Sequence, residues 1–314
     1  MNALEHLADH TLLVADSSRL EDLEEFSGLF GVTTNPTLVM QALDSSNSFD
    51  NLLYEAMRMV DEKKDSSKDN PVASDCLLAM IGAELYRLFG VQVSLEVDAR
   101  LAHDTEATIT RAESIAALCA EFSMPADKLL VKIAATDAGI AAVEQLERLG
   151  IHCNVTLLFS VQQAAAAADA GAWLVSPFVG RVSDWYAKNK PGHKGECPGV
   201  QLVREIQGYM RQFSYETRVM GASFRTSKQV LSLCGTDLLT ISPKLLRELS
   251  MLEDAPDPYT TGMSHDSIDI KPGGLANALK KDPMAKDLLK DGIDRFVADQ
   301  LRLDKLLQEQ GKRG

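Results

Sequence analysis

The chain has 314 residues, of which 45% are hydrophobic, so it can bury a substantial core. Its 45 Asp and Glu against 32 Lys and Arg give a net charge of −13, which argues against a nucleic-acid or anionic-membrane surface. No run approaches the roughly 18 apolar residues of a membrane span, and the N-terminus lacks the basic and apolar regions of a signal peptide.

Short apolar runs, typical of buried parallel strands, recur along the chain with helical patterns between them. In order they are Leu12–Asp16, Gly31–Asn35, Val93–Asp98, Leu129–Thr136, His152–Leu158, Trp173–Phe178, Arg218–Ser223 and Leu238–Ser242. Strands alternating with helices indicate βαβ units with right-handed crossovers. Eight such units in this length favour an α/β fold of the closed (β/α)8 TIM-barrel type over an open doubly wound sheet, with residues 1–314 forming one domain.

Helices are predicted over 109–121, 138–149 and 161–170, and Gly150 is expected to end the second of them. Three connections are longer than one helix needs. Residues 36–92 should hold at least two helices, broken by the charged stretch 61–70. Residues 181–216 begin with a basic, Gly/Pro-containing loop at 188–195, and residues 250–275 look like an irregular linker. Apolar spacing over 284–307 predicts a C-terminal helix laid against the barrel.

Lys132 stands inside the fourth apolar run, where an ammonium group is costly to bury. One interpretation is that the strand ends there and the side chain reaches solvent. The other is a lysine of lowered pKa, partly neutral and nucleophilic, poised to attack a carbonyl. The neighbouring strands decide between them.

Inward-facing residues near the carboxyl ends of barrel strands line the active site, and residues two apart share a face. Polar or aromatic side chains recur in this way: Thr33 with Asn35, Ser94 with Glu96, Asn154 with Thr156, and Ser176 with Phe178. Asp16 ends the first run. Strands often end in polar, turn-forming residues, and this alone would explain Asp16 or Asn35. It explains less well why polar groups recur on one face of several strands around a lysine.

Two arginines, Arg181 and Arg225, leave the late strands, where barrels often bind phosphate. A guanidinium suits a phosphate dianion, although surface ion pairs with carboxylates are an equal alternative for either arginine alone. The nearby Lys188, Lys190 and Lys194 favour a positive mouth that attracts an anionic substrate.

Other chemistries have less support. The six histidines do not cluster at strand ends, so no metal site is expected. No phosphate-loop, dinucleotide or serine-hydrolase motif occurs. The five cysteines are odd in number and none forms C-x-x-C, which indicates reduced thiols in a cytoplasm, and Cys153 is interpreted as core.

The sequence resembles the transaldolase family of the class I aldolase superfamily, from about Thr11 to about Gln300. Seven matching stretches occur in register: Val14–Asp16, Thr33–Pro36, Glu96–Arg100, Leu130–Ala134, Asn154–Ser160, Ser176–Arg181 and Met220–Arg225. Family members are (β/α)8 barrels with a Schiff-base lysine on the fourth strand, where Lys132 lies. Residues 61–70 and 250–275 match no motif of the family.

The resemblance implies that Lys132 attacks C2 of a ketose phosphate such as sedoheptulose 7-phosphate or fructose 6-phosphate. Asp16 would exchange the C4 hydroxyl proton, and Glu96 with Thr156, through a bound water, would move protons as the carbinolamine forms and dehydrates. Asn35, Asn154 and Ser176 would hold the hydroxyls of the three-carbon fragment, and Thr33 would help shape the pocket. Arg181 and Arg225 would bind phosphate, and Phe178 and Ser223 complete the expected substrate-binding residues. No metal or organic cofactor is implied.

The implied reaction passes a dihydroxyacetone unit to glyceraldehyde 3-phosphate or erythrose 4-phosphate, in the non-oxidative pentose phosphate pathway. Two alternatives stay open: a fructose 6-phosphate aldolase that releases the fragment, and a non-catalytic sugar-phosphate-binding barrel. A related aldolase branch has tyrosine where Phe178 stands, so phenylalanine fits a transferase. The expected partners are small-molecule sugar phosphates, with a homodimer left open and neither nucleic acid nor membrane.

Overall fold

In the computed structural model, eight parallel strands close into a barrel in sequence order, as the apolar runs predict. The structure describes residues 1–45, 49–63, 72–253, 255–259, 265–271 and 273–311. The strands are β1 (Leu12–Asp16), β2 (Gly31–Thr33), β3 (Gln92–Glu96), β4 (Leu129–Ala134), β5 (Cys153–Leu158), β6 (Leu174–Pro177), β7 (Arg218–Gly221) and β8 (Leu238–Ile241). Several predicted runs extend one or two residues past the observed strand, because their last residues leave the ladder for the loops above it.

Helices surround the barrel and confirm the predicted helical patterns. They are α1 (Ala3–Ala8), α2 (Leu20–Leu23), α3 (Pro36–Ser45), α4 (Asp50–Lys63), α5 (Ala73–Phe89), α6 (Thr105–Glu121), α7 (Asp137–Arg148), α8 (Val161–Asp169), α9 (Val179–Asn189), α10 (Pro198–Gln212), α11 (Ser227–Leu231), α12 (Pro243–Ser250), α13 (Leu275–Leu279) and α14 (Pro283–Gly311). Short 3₁₀ turns lie at Ala99–Leu101 and Ala126–Lys128. Among the described helices, none combines the length and apolarity needed to cross a lipid bilayer.

The helix that follows β4 shows how the local sequence sets these boundaries. Thr136 Oγ1 accepts a hydrogen bond from the Gly139 N–H at 2.9 Å and so caps the first turn of α7. Gly150 adopts a φ of 78°, the left-handed conformation that ends many helices and that glycine reaches without steric cost. Gly150 therefore ends this unit where the sequence predicts.

The barrel interior is apolar at one end and polar at the other. A small cluster fills the amino-terminal end: Val14, Leu130, Leu174, Met220 and Leu238. Two residues further along β4, Lys132 has Glu96 on β3 and Asn154 on β5 as its register partners. The larger core lies between barrel and helices and includes the fully buried Cys153, as predicted. Because inward-facing residues of a strand are two apart, the polar residues near the strand ends meet at the carboxyl end of the barrel.

Some connections differ from prediction. Helix α9 continues to Asn189, so the first two residues of the predicted loop 188–195 are helical. The Lys190 N–H still donates to the Tyr186 carbonyl oxygen at 2.8 Å, because the helical hydrogen bonding continues to the end of this turn. Helix α4 continues to Lys63, and residues 64–70 of the charged stretch lie outside the described residues. In the predicted linker 250–275, positions 254, 260–264 and 272 also lie outside them, and Leu275 already belongs to α13.

Candidate active site

Lys132 lies at the centre of the polar end, held by two oxygen atoms. Its Nζ donates a hydrogen bond to the Thr34 carbonyl oxygen at 2.8 Å and stands 3.2 Å from Glu96 Oε2. The residue is only 5% exposed, so the interpretation in which its side chain reaches solvent is wrong. A buried lysine beside a carboxylate and a cavity is a candidate for nucleophilic chemistry.

Two carboxylates accompany the lysine, and burial raises the pKa of both. For Asp16, the positive charge of Lys132, a hydrogen bond from Thr33 and the charge of Arg181 oppose this rise in pKa. For Glu96, the charge and hydrogen bonding of Lys132 oppose it, while the negative charge of Asp16 adds to it. Both carboxyls therefore titrate above their ordinary range, which suits groups that take up and return protons.

Hydroxyl and amide groups connect the strands around these charges. Thr33 Oγ1 donates to Asp16 Oδ1 at 2.9 Å and lies 2.6 Å from Thr240 Oγ1. On the other side, Ser176 donates to Asn154 Oδ1 at 2.6 Å, and Asn154 Nδ2 donates to Ser94 at 3.2 Å. These bonds fix the two sides of the site. Asn35 Oδ1 instead accepts the Leu38 N–H at 3.0 Å, at the start of α3.

One cavity of about 100 Å³ opens over the lysine. Its lining contains most of the predicted site residues: Asp16, Thr33, Asn35, Lys132, Thr156, Ser176, Phe178, Arg181 and Ser223. Glu96 and Asn154 are buried next to lining residues, and Arg225 is not part of the lining. The parity of the strand residues thus predicted which side chains meet.

Three polar atoms at this site are buried and have no hydrogen-bond partner among the described residues: Glu96 Oε2, Thr156 Oγ1 and Arg181 Nη1. Glu96 Oε2 still has the charge of Lys132 Nζ at 3.2 Å, whereas the Thr156 and Arg181 atoms face the cavity without a partner. An unsatisfied buried polar atom is costly, and in a native protein it calls for an explanation, such as a catalytic role or a bound water or ion. Because Thr156 and Arg181 line the cavity, a substrate there can satisfy both of their atoms.

Arg181 is held between two aromatic rings. Its Cζ lies 5.0 Å from the centre of the Phe178 ring and 5.5 Å from that of Phe296, which comes from α14. Burial lowers the pKa of this guanidinium, and the nearby Arg295 lowers it further. The rings restrict the side chain while Nη1 stays available to an anion.

Arg225 lies in a neighbouring cavity of about 310 Å³, which Arg181 also lines. Its Nε and Nη2 donate to Asp184 Oδ2 at 3.0 and 2.9 Å, and its Nη1 donates to the Ser223 carbonyl oxygen at 3.2 Å. Glycine at position 180 makes room for it, because a Cβ there would come within 2.9 Å of the Arg225 side chain. The expected ion pair with a carboxylate is therefore present, beside the position expected for phosphate.

Sequence reasoning missed four residues of the lining: Met220, Ala222, Thr240 and Phe296. Thr240 could have been found, because it shares a face with the inward Leu238 and is the polar residue of that pair. Phe296 offered no such signal, since it belongs to an apolar helical stripe that reads as core.

Across the described part of the chain, no group of three or more His, Cys, Asp or Glu side chains is arranged to hold a metal ion. His152, at the start of β5, lies with its Nδ1 3.0 Å from Glu147 Oε2 and its ring centre 6.0 Å from that of Trp173. It belongs to the amino-terminal end of the barrel, opposite the cavity.

Fold and site together define a class, the (β/α)8-barrel enzymes with a buried lysine at the carboxyl ends of the strands. The family model described as Transaldolase/Fructose-6-phosphate aldolase matches residues 13–307. The chain is 39% identical over 321 residues to "Transaldolase" of Protochlamydia amoebophila (strain UWE25), covering 100% of this chain and 99% of that protein. It is 40% identical over 314 residues to "Transaldolase A" of Pasteurella multocida (strain Pm70), covering 97% and 98%. The chain belongs to the transaldolase/fructose-6-phosphate aldolase family and is an enzyme of that family.

Proposed function

We propose that the chain is a transaldolase of the non-oxidative pentose phosphate pathway, which moves a dihydroxyacetone unit between sugar phosphates through a Schiff base on Lys132. The donors are sedoheptulose 7-phosphate or fructose 6-phosphate, and the acceptors are glyceraldehyde 3-phosphate or erythrose 4-phosphate. The observation that carries the proposal is the buried Lys132 Nζ, 3.2 Å from Glu96 Oε2 and in one cavity with Asp16.

The first half of the reaction makes the Schiff base. The Lys132 lone pair adds to C2 of the ketose, and the carbonyl electron pair moves to oxygen. Glu96 accepts the ammonium proton and returns a proton to the leaving oxygen, with Thr156 Oγ1 and a water molecule carrying it across. Loss of water leaves a protonated imine. The short separation of Glu96 from Lys132 and the unsatisfied Thr156 hydroxyl support these roles.

The second half breaks the carbon–carbon bond. Asp16 takes the proton from the C4 hydroxyl, the C3–C4 electron pair moves toward the iminium nitrogen, and an aldose phosphate leaves. The enamine that remains on Lys132 attacks the acceptor aldehyde, and Asp16 returns its proton to the new hydroxyl. Hydrolysis then frees the product ketose. Asp16 lines the cavity and the hydrogen bond from Thr33 orients its carboxylate, which suits it to this role.

We assign the remaining residues to substrate binding. Asn35, Asn154 and Ser176 hold the hydroxyls of the three-carbon fragment, and Thr33 shapes the pocket. Arg181 binds phosphate through its unsatisfied Nη1, helped by Ser223 and by Arg225 from the adjoining cavity. The site needs no metal or cofactor for these steps. We further propose that residues 1–314 act as one cytoplasmic domain, with a homodimer to be tested by sedimentation.

Borohydride reduction in the presence of fructose 6-phosphate tests the proposal. A single adduct should form, and peptide mass mapping should locate it on Lys132. An adduct on another lysine, or full activity of Lys132→Ala, would contradict the mechanism. Assaying fructose 6-phosphate without acceptor separates transfer from release. Phe178, which lines the cavity without adding a hydroxyl, favours retention of the fragment, so little free dihydroxyacetone is expected.

A further inference from the structure

The end of β5, next to Thr156, has an unusual backbone. Leu157 adopts a φ of 53°, in the left-handed region that residues with a side chain seldom occupy. The pairing of β5 with β6 shifts register between Val155 and Leu158, at the same point. A bulge of this kind reorients side chains beside active sites, and it needs support because a regular strand is the lower-energy alternative.

The support comes from Gln163, a fully buried residue in the first turn of α8. Its Nε2 donates to the Leu157 carbonyl oxygen at 3.1 Å and to the Ala135 carbonyl oxygen at 3.0 Å. Its Oε1 accepts the Phe159 N–H at 2.8 Å. The side-chain amide therefore uses both of its N–H groups and its oxygen on backbone groups at the carboxyl ends of β4 and β5.

These bonds join the strand of the lysine to the strand of the threonine. Ala135 directly follows β4, and its N–H donates to the Thr156 carbonyl oxygen at 2.9 Å. Gln163 binds the carbonyls on either side of this junction, at Ala135 and Leu157. Without its two donors both carbonyls lose a partner in a buried place, and the peptide at Leu157 can relax toward ordinary strand geometry. Thr156, the preceding residue, would then turn.

We propose that Gln163 is a positioning residue that fixes the Thr156 hydroxyl relative to Lys132 and Glu96. The inference rests on the proposed function, because Thr156 acts in the proton transfers of Schiff-base formation. Gln163 itself does not line the cavity. It acts through the backbone of β5.

Two variants test the inference, with one matched control. Gln163→Met removes all the side-chain hydrogen bonds at similar length, and Gln163→Glu keeps the shape but loses the two N–H donors. Gln162→Met is the control, since Gln162 is the neighbouring residue in the same helix and is only half-buried. The measured quantity is the rate at which fructose 6-phosphate forms the borohydride-trapped adduct in a single turnover.

Adduct formation should slow by roughly 10- to 100-fold in both Gln163 variants, the scale expected for a catalytic group displaced by about 1 Å. The KM for fructose 6-phosphate should stay within about twofold, because the phosphate-binding arginines are untouched. Gln162→Met should behave as the wild type.

A double-mutant cycle separates positioning from general destabilisation. In a Thr156→Ala background, Gln163→Met should slow adduct formation by less than about twofold further, because the group it positions is gone. An equal loss in both backgrounds, or an unchanged rate in the Gln163 single variants, would overturn the inference alone. Absence of a Lys132 adduct in the wild type would overturn the proposed function and the inference with it. If Gln163→Met does not fold, the same comparison of adduct formation in the two backgrounds is made with Gln163→Glu.

Discussion

The two buried carboxylates differ in what surrounds them, although burial raises the pKa of each. Asp16 lines the cavity and accepts a hydrogen bond from Thr33. Glu96 lies behind the lysine and pairs with its Nζ. Asp16, on the cavity wall, can reach a substrate hydroxyl. Glu96, beside the lysine, can exchange protons with its amine. This difference in position supports the proposal that the two carboxyls act in different steps.

Replacing Asp16 by asparagine should stop the reaction after the Schiff base has formed. The amide keeps the size and a hydrogen-bond acceptor but no longer accepts the C4 hydroxyl proton. Cleavage should slow by about 10²–10⁴-fold, the usual contribution of a general base. Borohydride should then trap the whole ketose on Lys132, and mass spectrometry distinguishes this adduct from the three-carbon one.

Glu96→Gln is the contrasting variant for this experiment. It should delay the appearance of any adduct, because the missing proton acceptor acts before cleavage. If Asp16→Asn still yields mainly the three-carbon adduct at a near-normal rate, Asp16 is not the base.

The two arginines should contribute unequally to phosphate binding. Arg181→Ala should weaken the use of phosphorylated substrates by about 1.5–3 kcal/mol, the range for hydrogen bonds to a charged group. Arg225→Ala should cost less, because Asp184 already occupies its Nε and Nη2. The measurement is kcat/KM for fructose 6-phosphate against that for an unphosphorylated ketose.

Arg218→Ala is the control for these substitutions, because Arg218 starts β7 at the opposite end of the barrel, with its Cζ 4.5 Å from the centre of the Trp173 ring. Equal losses for phosphorylated and unphosphorylated substrates would exclude a phosphate role for Arg181. A larger loss at Arg225 than at Arg181 would show that the ion pair with Asp184 opens when substrate binds.

At the scale of elements, the strands were predictable because their signal is local. Apolar runs and the two-residue period fix which side chains of β1 to β6 face inward, and register then brings Glu96, Lys132 and Asn154 side by side. The docking of α14 was not predictable in detail. It depends on the missing side chain at Gly292, where a Cβ would lie 2.6 Å from Leu157 Cδ2, and on packing between distant parts of the chain.

A charge network, buried at Asp75 and Asp98, joins the consecutive helices α5 and α6 to the C-terminal helix α14. Asp75 of α5 accepts a hydrogen bond from Arg111 of α6 at 2.7 Å, and Arg111 also lies 3.9 Å from Asp98. Arg100 forms an ion pair with Asp98, and its Nη2 also lies 2.8 Å from Asp304 Oδ2 of α14. Burial raises the pKa of Asp75 from 3.8 to about 6, against the attraction of Arg111.

This raised pKa makes the contribution of Asp75 to stability increase in acid. The folded chain binds the Asp75 proton more tightly than the unfolded chain, so stability linked to this group is gained as the pH falls from about 7 toward 4. Between pH 7.5 and pH 5, the wild type should gain roughly 1–1.5 kcal/mol in free energy of unfolding relative to Asp75→Asn. Urea unfolding at several pH values measures the difference.

The control is Asp127→Asn, which removes one negative charge at an exposed carboxylate. A wild type that loses stability relative to Asp75→Asn on acidification would mean that Arg111 outweighs burial. In that case the network would act as an ordinary ion pair.

Over the whole molecule, charge is unevenly distributed. The chain carries a net charge of −13. The cavity of about 310 Å³ that contains Arg225, called the outer cavity below, nevertheless has more cations than carboxylates in its wall. The four cations are Arg181, Lys188, Arg225 and Arg295, and the three carboxylates are Asp184, Asp287 and Asp291. The predicted positive mouth is therefore only weakly positive. Lys190 does not line the outer cavity, and its Nζ lies 4.8 Å from the centre of the Tyr186 ring. Its positive charge therefore contributes less directly to the mouth.

A weak local excess should still matter for an anionic substrate approaching an acidic protein. Lys188→Glu changes the charge at the outer cavity by two units, which at roughly 10 Å in water is about 0.8 kcal/mol, or about fourfold, for each negative charge of the substrate. At low ionic strength, kcat/KM for fructose 6-phosphate should therefore fall by about fourfold for a phosphate monoanion and by about 16-fold for a dianion. Near 0.15 M salt, most of the difference should disappear because of screening.

The matched control for the field is Lys128→Glu, which changes the net charge equally. Lys128 ends the 3₁₀ turn directly before β4, at the amino-terminal end of the barrel, and so lies opposite the mouth. If both variants reduce kcat/KM by the same factor, net charge alone governs approach. If only Lys188→Glu does so, and only at low salt, the local cations draw the phosphate toward Arg181.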